Sequence, residues 1–126
     1  MSLRSSLGLV RGLGAARSGT HHWWMQRLTA IALIPLSLWF VSAVLCVADA
    51  DYGTAVMWLK SPLTATLLVL LIAGVFYHTQ LGLQVVIEDY VHQEPVKLAA
   101  QVLVKFGCLF LGLLAVLAVL KVFFGA

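Results

Sequence analysis

Charge is scarce in this sequence. Only 10% of the 126 residues are charged, whereas 62% are hydrophobic and the mean hydropathy is +1.01. A soluble domain has about 25% charged and about 45–50% apolar residues. The composition therefore excludes a soluble globular domain and predicts an integral membrane protein.

Cysteine and acidic residues are also few. Cys46 and Cys108 both lie inside apolar runs, which argues against a disulfide framework or a thiolate metal site. No acidic residue precedes Asp49, although the same stretch contains four arginines, at positions 4, 11, 17 and 27. A basic arm joined to such apolar segments suits an anionic lipid surface better than a nucleic acid.

Three apolar runs make up most of the remaining chain. They cover about residues 23–48, 62–87 and 98–124, and each exceeds the roughly 20 residues that cross a ~30 Å hydrocarbon core. Because a backbone in lipid must satisfy its hydrogen bonds within the segment, all three are predicted to be helices. The predicted fold is all-α integral membrane, with a basic arm at residues 1–22 and a three-helix anchor domain at 23–126.

The distribution of arginine predicts the orientation of these spans. The arm contains three or four arginines, whereas the connection after the first span has one lysine, Lys60, together with Asp49 and Asp51. The positive-inside rule then places the N-terminus in the cytoplasm and the C-terminus in the periplasm. The arm also has the Arg and Ser content of a weak mitochondrial transit peptide. Since the sequence begins at Met1 with this arm in place, we expect a bacterial cytoplasmic membrane protein.

One ionisable side chain, His78, lies deep within the second apolar run. It is ten residues from Glu88, or ~15 Å along a helix, which places it near the bilayer midplane. An imidazole at this depth is costly without a partner and indicates a functional site. The other histidines, at positions 21, 22 and 92, lie at or beyond the interfaces. If His78 binds a haem with two histidine ligands, the second ligand must come from another chain, and a hydrogen bond to a partner helix is the alternative.

His78 is flanked by glycines on one helical stripe. Gly74, His78, Gly82, Val85 and Asp89 are separated by 4, 4, 3 and 4 positions. The recess beside the glycines could admit either the backbone of a neighbouring helix or a planar ligand such as a haem. The imidazole projecting from the recess favours the haem.

The same predicted helix ends in the residues IEDY. A tyrosine phenol such as that of Tyr90 can donate a hydrogen bond to a quinone carbonyl, and the adjacent Asp89 can relay a proton from water. The alternative is that Tyr90 and its acidic neighbours are ordinary interfacial anchors.

These residues form the motif H-x3-G-x6-D-Y, at His78, Gly82, Asp89 and Tyr90. At the end of the second of three spans, this motif resembles the signature of the small hydrophobic membrane anchor of succinate dehydrogenase, respiratory complex II. The segment HHWWMQRLTA at the start of the first span resembles the opening pattern of the same family. The likeness extends over nearly the whole chain, although only about ten positions are specific to the family.

The resemblance implies a chain that is not catalytic alone. It would pair with the cytochrome b subunit of the complex and anchor a flavoprotein and an iron–sulfur subunit, which pass electrons from succinate to ubiquinone. By the same resemblance, His78 is an axial ligand of haem b and Gly82 packs against the haem. Tyr90 hydrogen-bonds ubiquinone beside Asp89, and Arg27 lies near the haem propionates. For Arg27 the alternative is a side chain that extends to lipid phosphate.

Other functions fit the sequence less well. A proton-coupled transporter would need a carboxylate within the membrane, yet every Asp and Glu is at or outside an interface. A self-contained dihaem cytochrome would need paired deep histidines. A purely structural anchor without haem remains open, as does the anchor of a fumarate reductase that uses menaquinol.

Overall fold

The computed structural model describes residues 16–125, with side chains from Thr20 onward, and this part of the chain contains helices but no strand. Residues 1–15 of the predicted arm lie outside the described residues. The predicted all-α fold is confirmed. The helices, numbered here in chain order, are α1 (Ala16–Val47), α2 (Tyr52–Leu59), α3 (Pro62–Tyr90) and α4 (Glu94–Phe124).

Three of these helices are long and apolar enough to cross a membrane. The candidate spans are Thr20–Val47, Pro62–Tyr90 and Glu94–Phe124, which confirms the three predicted spans. The helices α1, α3 and α4 are longer than the apolar runs, because helical backbone hydrogen bonding continues into the polar residues that flank each run. The connection between α3 and α4 is short, and Pro95 in the first turn of α4 fits a helix start.

The short helix α2 was not predicted from the sequence, which indicated only a connection there. It begins after Asp51, whose carboxylate accepts a hydrogen bond from the backbone N–H of Thr54 at 3.1 Å. The side chain of Thr54, followed by this backbone hydrogen bond, lowers the pKa of the Asp51 carboxyl below its usual value, since both stabilise the charged form. The sequence signal was an N-capping aspartate directly before a run of apolar residues.

Two contacts fix α2 against the spans. The rings of Trp39 and Trp58 stack with centroids 6.3 Å apart and join α1 to α2. The ammonium group of Lys60 donates a 2.7 Å hydrogen bond to the backbone carbonyl of Gly125, at the end of α4. The α2 end of the bundle is therefore held together by an aromatic contact and a charged hydrogen bond.

Helix α3 occupies the centre of the chain. It packs extensively against both α1 and α4, whereas α1 and α4 barely touch each other over residues 16–125. Among the described side chains, the buried residues all belong to α3: Thr64, Ala65, Leu68, Leu71, Leu81 and Ile87. Most large apolar side chains of α1 and α4 are exposed, and such an exterior requires cover by lipid or by other subunits.

Candidate haem and quinone sites

His78 on the central helix contacts α1 through a hydrogen bond. Its Nδ1 atom lies 2.9 Å from the hydroxyl oxygen of Thr29, and the ring is half-buried. The same hydroxyl oxygen lies 2.7 Å from the carbonyl oxygen of Met25 and 3.0 Å from that of Gln26. Thr29 therefore connects the imidazole of α3 to the backbone of α1.

This network assigns the tautomer of His78. The Thr29 hydroxyl has a single proton, and the nearest acceptor for that proton is the carbonyl oxygen of Met25. The hydroxyl oxygen is then free to accept a hydrogen bond from Nδ1–H of His78, and we assign this tautomer on the network. A neutral imidazole protonated at Nδ1 has its lone pair at Nε2. That nitrogen has no hydrogen-bond partner among residues 16–125 and is not buried.

The glycines beside His78 face the same helix. A Cβ atom on Gly74 would lie 3.1 Å from Cδ2 of Leu33, and one on Gly82 would lie 3.9 Å from Nε2 of Gln26. Side chains of α1 in the same chain therefore lie against both glycines. A planar ligand bound to His78 would have to lie beside the α1–α3 contact. The role of Gly82 in haem packing stays a prediction.

The side of α1 that faces α3 carries polar residues that sequence reasoning left without a role. They are His22, Gln26 and Thr29, at spacings of 4 and 3, which place them on one face of the helix. Nε2 of His22 and Oε1 of Gln26 are buried and have no hydrogen-bond partner in the described part of the chain. Buried polar atoms are nearly always paired, so these two indicate that water or a polar ligand belongs here. The i, i+4, i+7 spacing was the available sequence signal.

Arg27 lies on α1 next to Gln26, but it is exposed. The centre of its guanidinium group is 4.8 Å from the centroid of the Trp23 ring, a cation–π contact. Neither this contact nor its exposure tests whether Arg27 binds a haem propionate, and that role stays a prediction. Its place two residues before Thr29 puts it within one helical turn of the His78 contact.

Asp89 and Tyr90 form the C-terminal end of α3. Both side chains are exposed, and Tyr90 has 77% of its surface accessible. They are 11 and 12 residues from His78, which corresponds to ~16–18 Å along the helix. Their exposure makes them available to a ligand or to another subunit.

The glutamines of α3 form a ladder along the helix. Gln80 donates to Gln84 and Gln84 donates to Glu88, each at 3.2 Å. These hydrogen bonds run along one helix, because side chains at i and i+4 are neighbours on its surface. The two glutamines line a groove toward α4 that also includes Gln101 and Lys105.

The similarity of this chain to known proteins agrees with this architecture. The family described as succinate dehydrogenase/fumarate reductase transmembrane subunit matches residues 1–115. The chain is 39% identical over 88 residues to the succinate dehydrogenase hydrophobic membrane anchor subunit of Rickettsia bellii, covering 70% of each protein. It is 33% identical over 101 residues to that of Rickettsia conorii, covering 79% of this chain and 80% of the relative.

A relative outside that genus is also similar. The chain is 32% identical over 92 residues to the succinate dehydrogenase membrane anchor subunit of Reclinomonas americana, covering 71% of this chain and 77% of the relative. No solved structure matches the chain. With three membrane-spanning helices and these relatives, the chain belongs to the family of succinate dehydrogenase membrane anchor subunits.

Proposed function

We propose that this membrane anchor provides one axial ligand of haem b, His78, and part of a ubiquinone site at Asp89 and Tyr90, within a succinate:ubiquinone oxidoreductase. The observation that carries the proposal is the His78 ring, whose Nδ1 is held by Thr29 while Nε2 has no partner within residues 16–125.

The geometry of His78 fits a haem ligand. A histidine that binds a metal through one ring nitrogen typically donates its other N–H to an acceptor in the protein. Thr29 supplies that acceptor, and the half-buried ring leaves Nε2 accessible at the edge of the α1–α3 contact. Bound there, the haem would supply one-electron redox chemistry. We infer that the second axial ligand comes from the partner cytochrome b subunit.

Tyr90 and Asp89 support the quinone site by position. The phenol of Tyr90 can donate a hydrogen bond to a quinone carbonyl, and the carboxylate of Asp89 can relay a proton from water. The exposure of both residues at the helix end leaves them free to face the iron–sulfur subunit, where the quinone would bind.

The chain is a multi-pass membrane protein, and we infer its orientation from charge. The start of α1 and the end of α3 lie at the same end of the bundle, because Gln26 faces Gly82. The arginines of the arm favour the cytoplasm for this end and the periplasm for the C-terminus. The flavoprotein and iron–sulfur partners would then dock on the cytoplasmic face of a bacterial inner membrane.

Purification of the complete complex tests the proposal. We expect a reduced-minus-oxidised spectrum of a b-type haem and succinate-dependent reduction of ubiquinone by the same preparation. A complex that assembles with the chain but shows no haem band would refute the ligand role and leave a structural anchor. Preferential oxidation of menaquinol by fumarate would identify a fumarate reductase instead.

A further inference from the structure

We propose that Thr29 is a positioning residue for His78, which sets both the orientation of the imidazole and its basicity toward the haem iron. The inference rests on the proposed haem ligation. It begins from the hydrogen bond between Thr29 of α1 and His78 of α3.

The contact is a short relay that ends on the backbone. Nδ1–H of His78 donates to the hydroxyl oxygen of Thr29 at 2.9 Å, and the hydroxyl donates to the carbonyl oxygen of Met25 at 2.7 Å. Because the carbonyl belongs to the helix backbone, the hydroxyl cannot rotate freely. The acceptor presented to His78 is therefore fixed in position before a ligand binds.

A second threonine, Thr66, makes the same bond to its own helix backbone as Thr29 but has no histidine beside it. The hydroxyl of Thr66 in α3 donates to the carbonyl oxygen of Pro62 at 2.8 Å, the same i−4 bond that Thr29 makes. Thr66 is exposed, and its hydroxyl has no partner on another helix in the described chain. What distinguishes Thr29 is the imidazole of His78.

The chemical consequence has a definite sign. A hydrogen bond donated from Nδ1 increases electron density at Nε2 and makes the imidazole a more basic ligand. A more basic ligand stabilises ferric over ferrous iron, so loss of the bond should raise the midpoint potential of the haem. A neutral hydroxyl is a weaker acceptor than a carboxylate, so the effect on the ligand should be smaller than that of a carboxylate partner.

The test compares three variants in the assembled complex. Thr29→Val removes the hydroxyl with little change in shape, Thr29→Ser retains it, and Thr66→Val removes an equivalent i−4 bond far from the haem ligand. We would measure haem content, the midpoint potential by redox titration, and the electron paramagnetic resonance spectrum of the ferric haem.

We expect Thr29→Val to keep the haem while favouring its reduced form by roughly three- to tenfold, where tenfold is about 59 mV for a one-electron couple. The resonance spectrum should change as the ring plane loses its restraint. Thr29→Ser should restore both properties, and Thr66→Val should match the wild type. A helix-packing role alone would change assembly or stability and leave the potential unchanged.

Wild-type potential and spectrum in Thr29→Val would overturn the inference, as would an equal shift in Thr66→Val. Should Thr29→Val not assemble, Thr29→Ala is measured against Thr29→Ser, and the same potential in both would also overturn it. Failure of the proposed function is distinguishable, because the haem spectrum would then persist in His78→Leu. If His78→Leu loses that spectrum and the Thr29 variants do not shift, only the present inference is wrong.

Discussion

Gly82 of α3 lies against the side chain of Gln26 on α1, such that a Cβ atom on Gly82 would be 3.9 Å from Nε2 of Gln26. At Gly74 the corresponding distance to Cδ2 of Leu33 is only 3.1 Å. Small residues allow two helices to approach closely in a membrane, where lipid is as apolar as leucine. This approach brings Thr29 within hydrogen-bonding distance of His78, so the glycines and the histidine act together.

Enlarging Gly82 should separate these helices. Gly82→Ala should be tolerated, since a Cβ at 3.9 Å is in ordinary contact, whereas the longer side chain of Gly82→Leu must displace Gln26 or a ligand at this position. We expect a loss of about 1–3 kcal/mol in stability and reduced haem content, measured on the purified complex. Gly107→Leu is the matched control, because a Cβ there meets nothing within 4 Å in this chain. Equal haem content in both leucine variants would show that neither haem binding nor the α1–α3 contact depends on the space beside Gly82.

Removal of the imidazole should remove one axial ligand. In His78→Leu, the reduced b-type absorbance band should disappear or change, while the apolar replacement preserves membrane insertion. The control is His92→Leu, which alters an exposed histidine between α3 and α4. An unaltered low-spin spectrum in His78→Leu would exclude His78 as a ligand.

Loss of the Tyr90 hydroxyl should impair quinone reduction selectively. Tyr90→Phe keeps the ring but removes a hydrogen bond worth about 0.5–1.5 kcal/mol, or more if a quinone carbonyl is left unpaired. Ubiquinone reduction should fall roughly tenfold, or the apparent quinone affinity weaken comparably. Succinate oxidation by a dye that accepts electrons upstream should persist.

The control for this variant is Tyr52→Phe. Tyr52 is 85% exposed and begins α2, at the other end of the bundle, so it tests the general effect of removing an exposed phenol. Wild-type quinone kinetics in Tyr90→Phe would mean that Tyr90 is an interfacial anchor only.

Arg27→Gln should lower the haem potential if the guanidinium lies near the propionates. A nearby cation favours the reduced haem, which carries one more negative charge, so its loss favours the oxidised form. Because Arg27 is exposed, its interaction with a propionate should be worth ~1 kcal/mol, as for other exposed ion pairs. Its loss should therefore shift the redox equilibrium of the haem by roughly fivefold. This shift is opposite in sign to that of Thr29→Val. Lys121→Gln, near the end of α4, controls for the loss of a positive charge. Equal haem potentials in the two variants would mean that Arg27 contacts lipid or Trp23 and not a propionate.

Some features that locate the candidate site follow from single residues and their order along the chain. The depth of His78 follows from counting residues, since a membrane helix rises ~1.5 Å per residue whatever its neighbours are. The place of Asp89 and Tyr90 at the end of α3 follows from the end of the apolar run. The haem and quinone roles of these residues remain predictions.

Other features depended on contacts between helices. The sequence left open what lies against Gly74 and Gly82, and the structure places side chains of α1 there. Thr29 and Thr66 both make the same local i−4 bond, and only the contact with His78 on another helix distinguishes Thr29 in the structure.

By itself, therefore, the sequence determined that this chain is an all-α membrane protein with three spans and a single deeply placed histidine. Burial in lipid depends on the hydropathy of each segment, which can be read without knowing the packing. Only the tertiary structure decided that α3 is central, that α1 covers Gly74 and Gly82, and that Thr29 holds His78. Hydropathy does not select among apolar helix faces, whereas close packing and interhelical hydrogen bonds do.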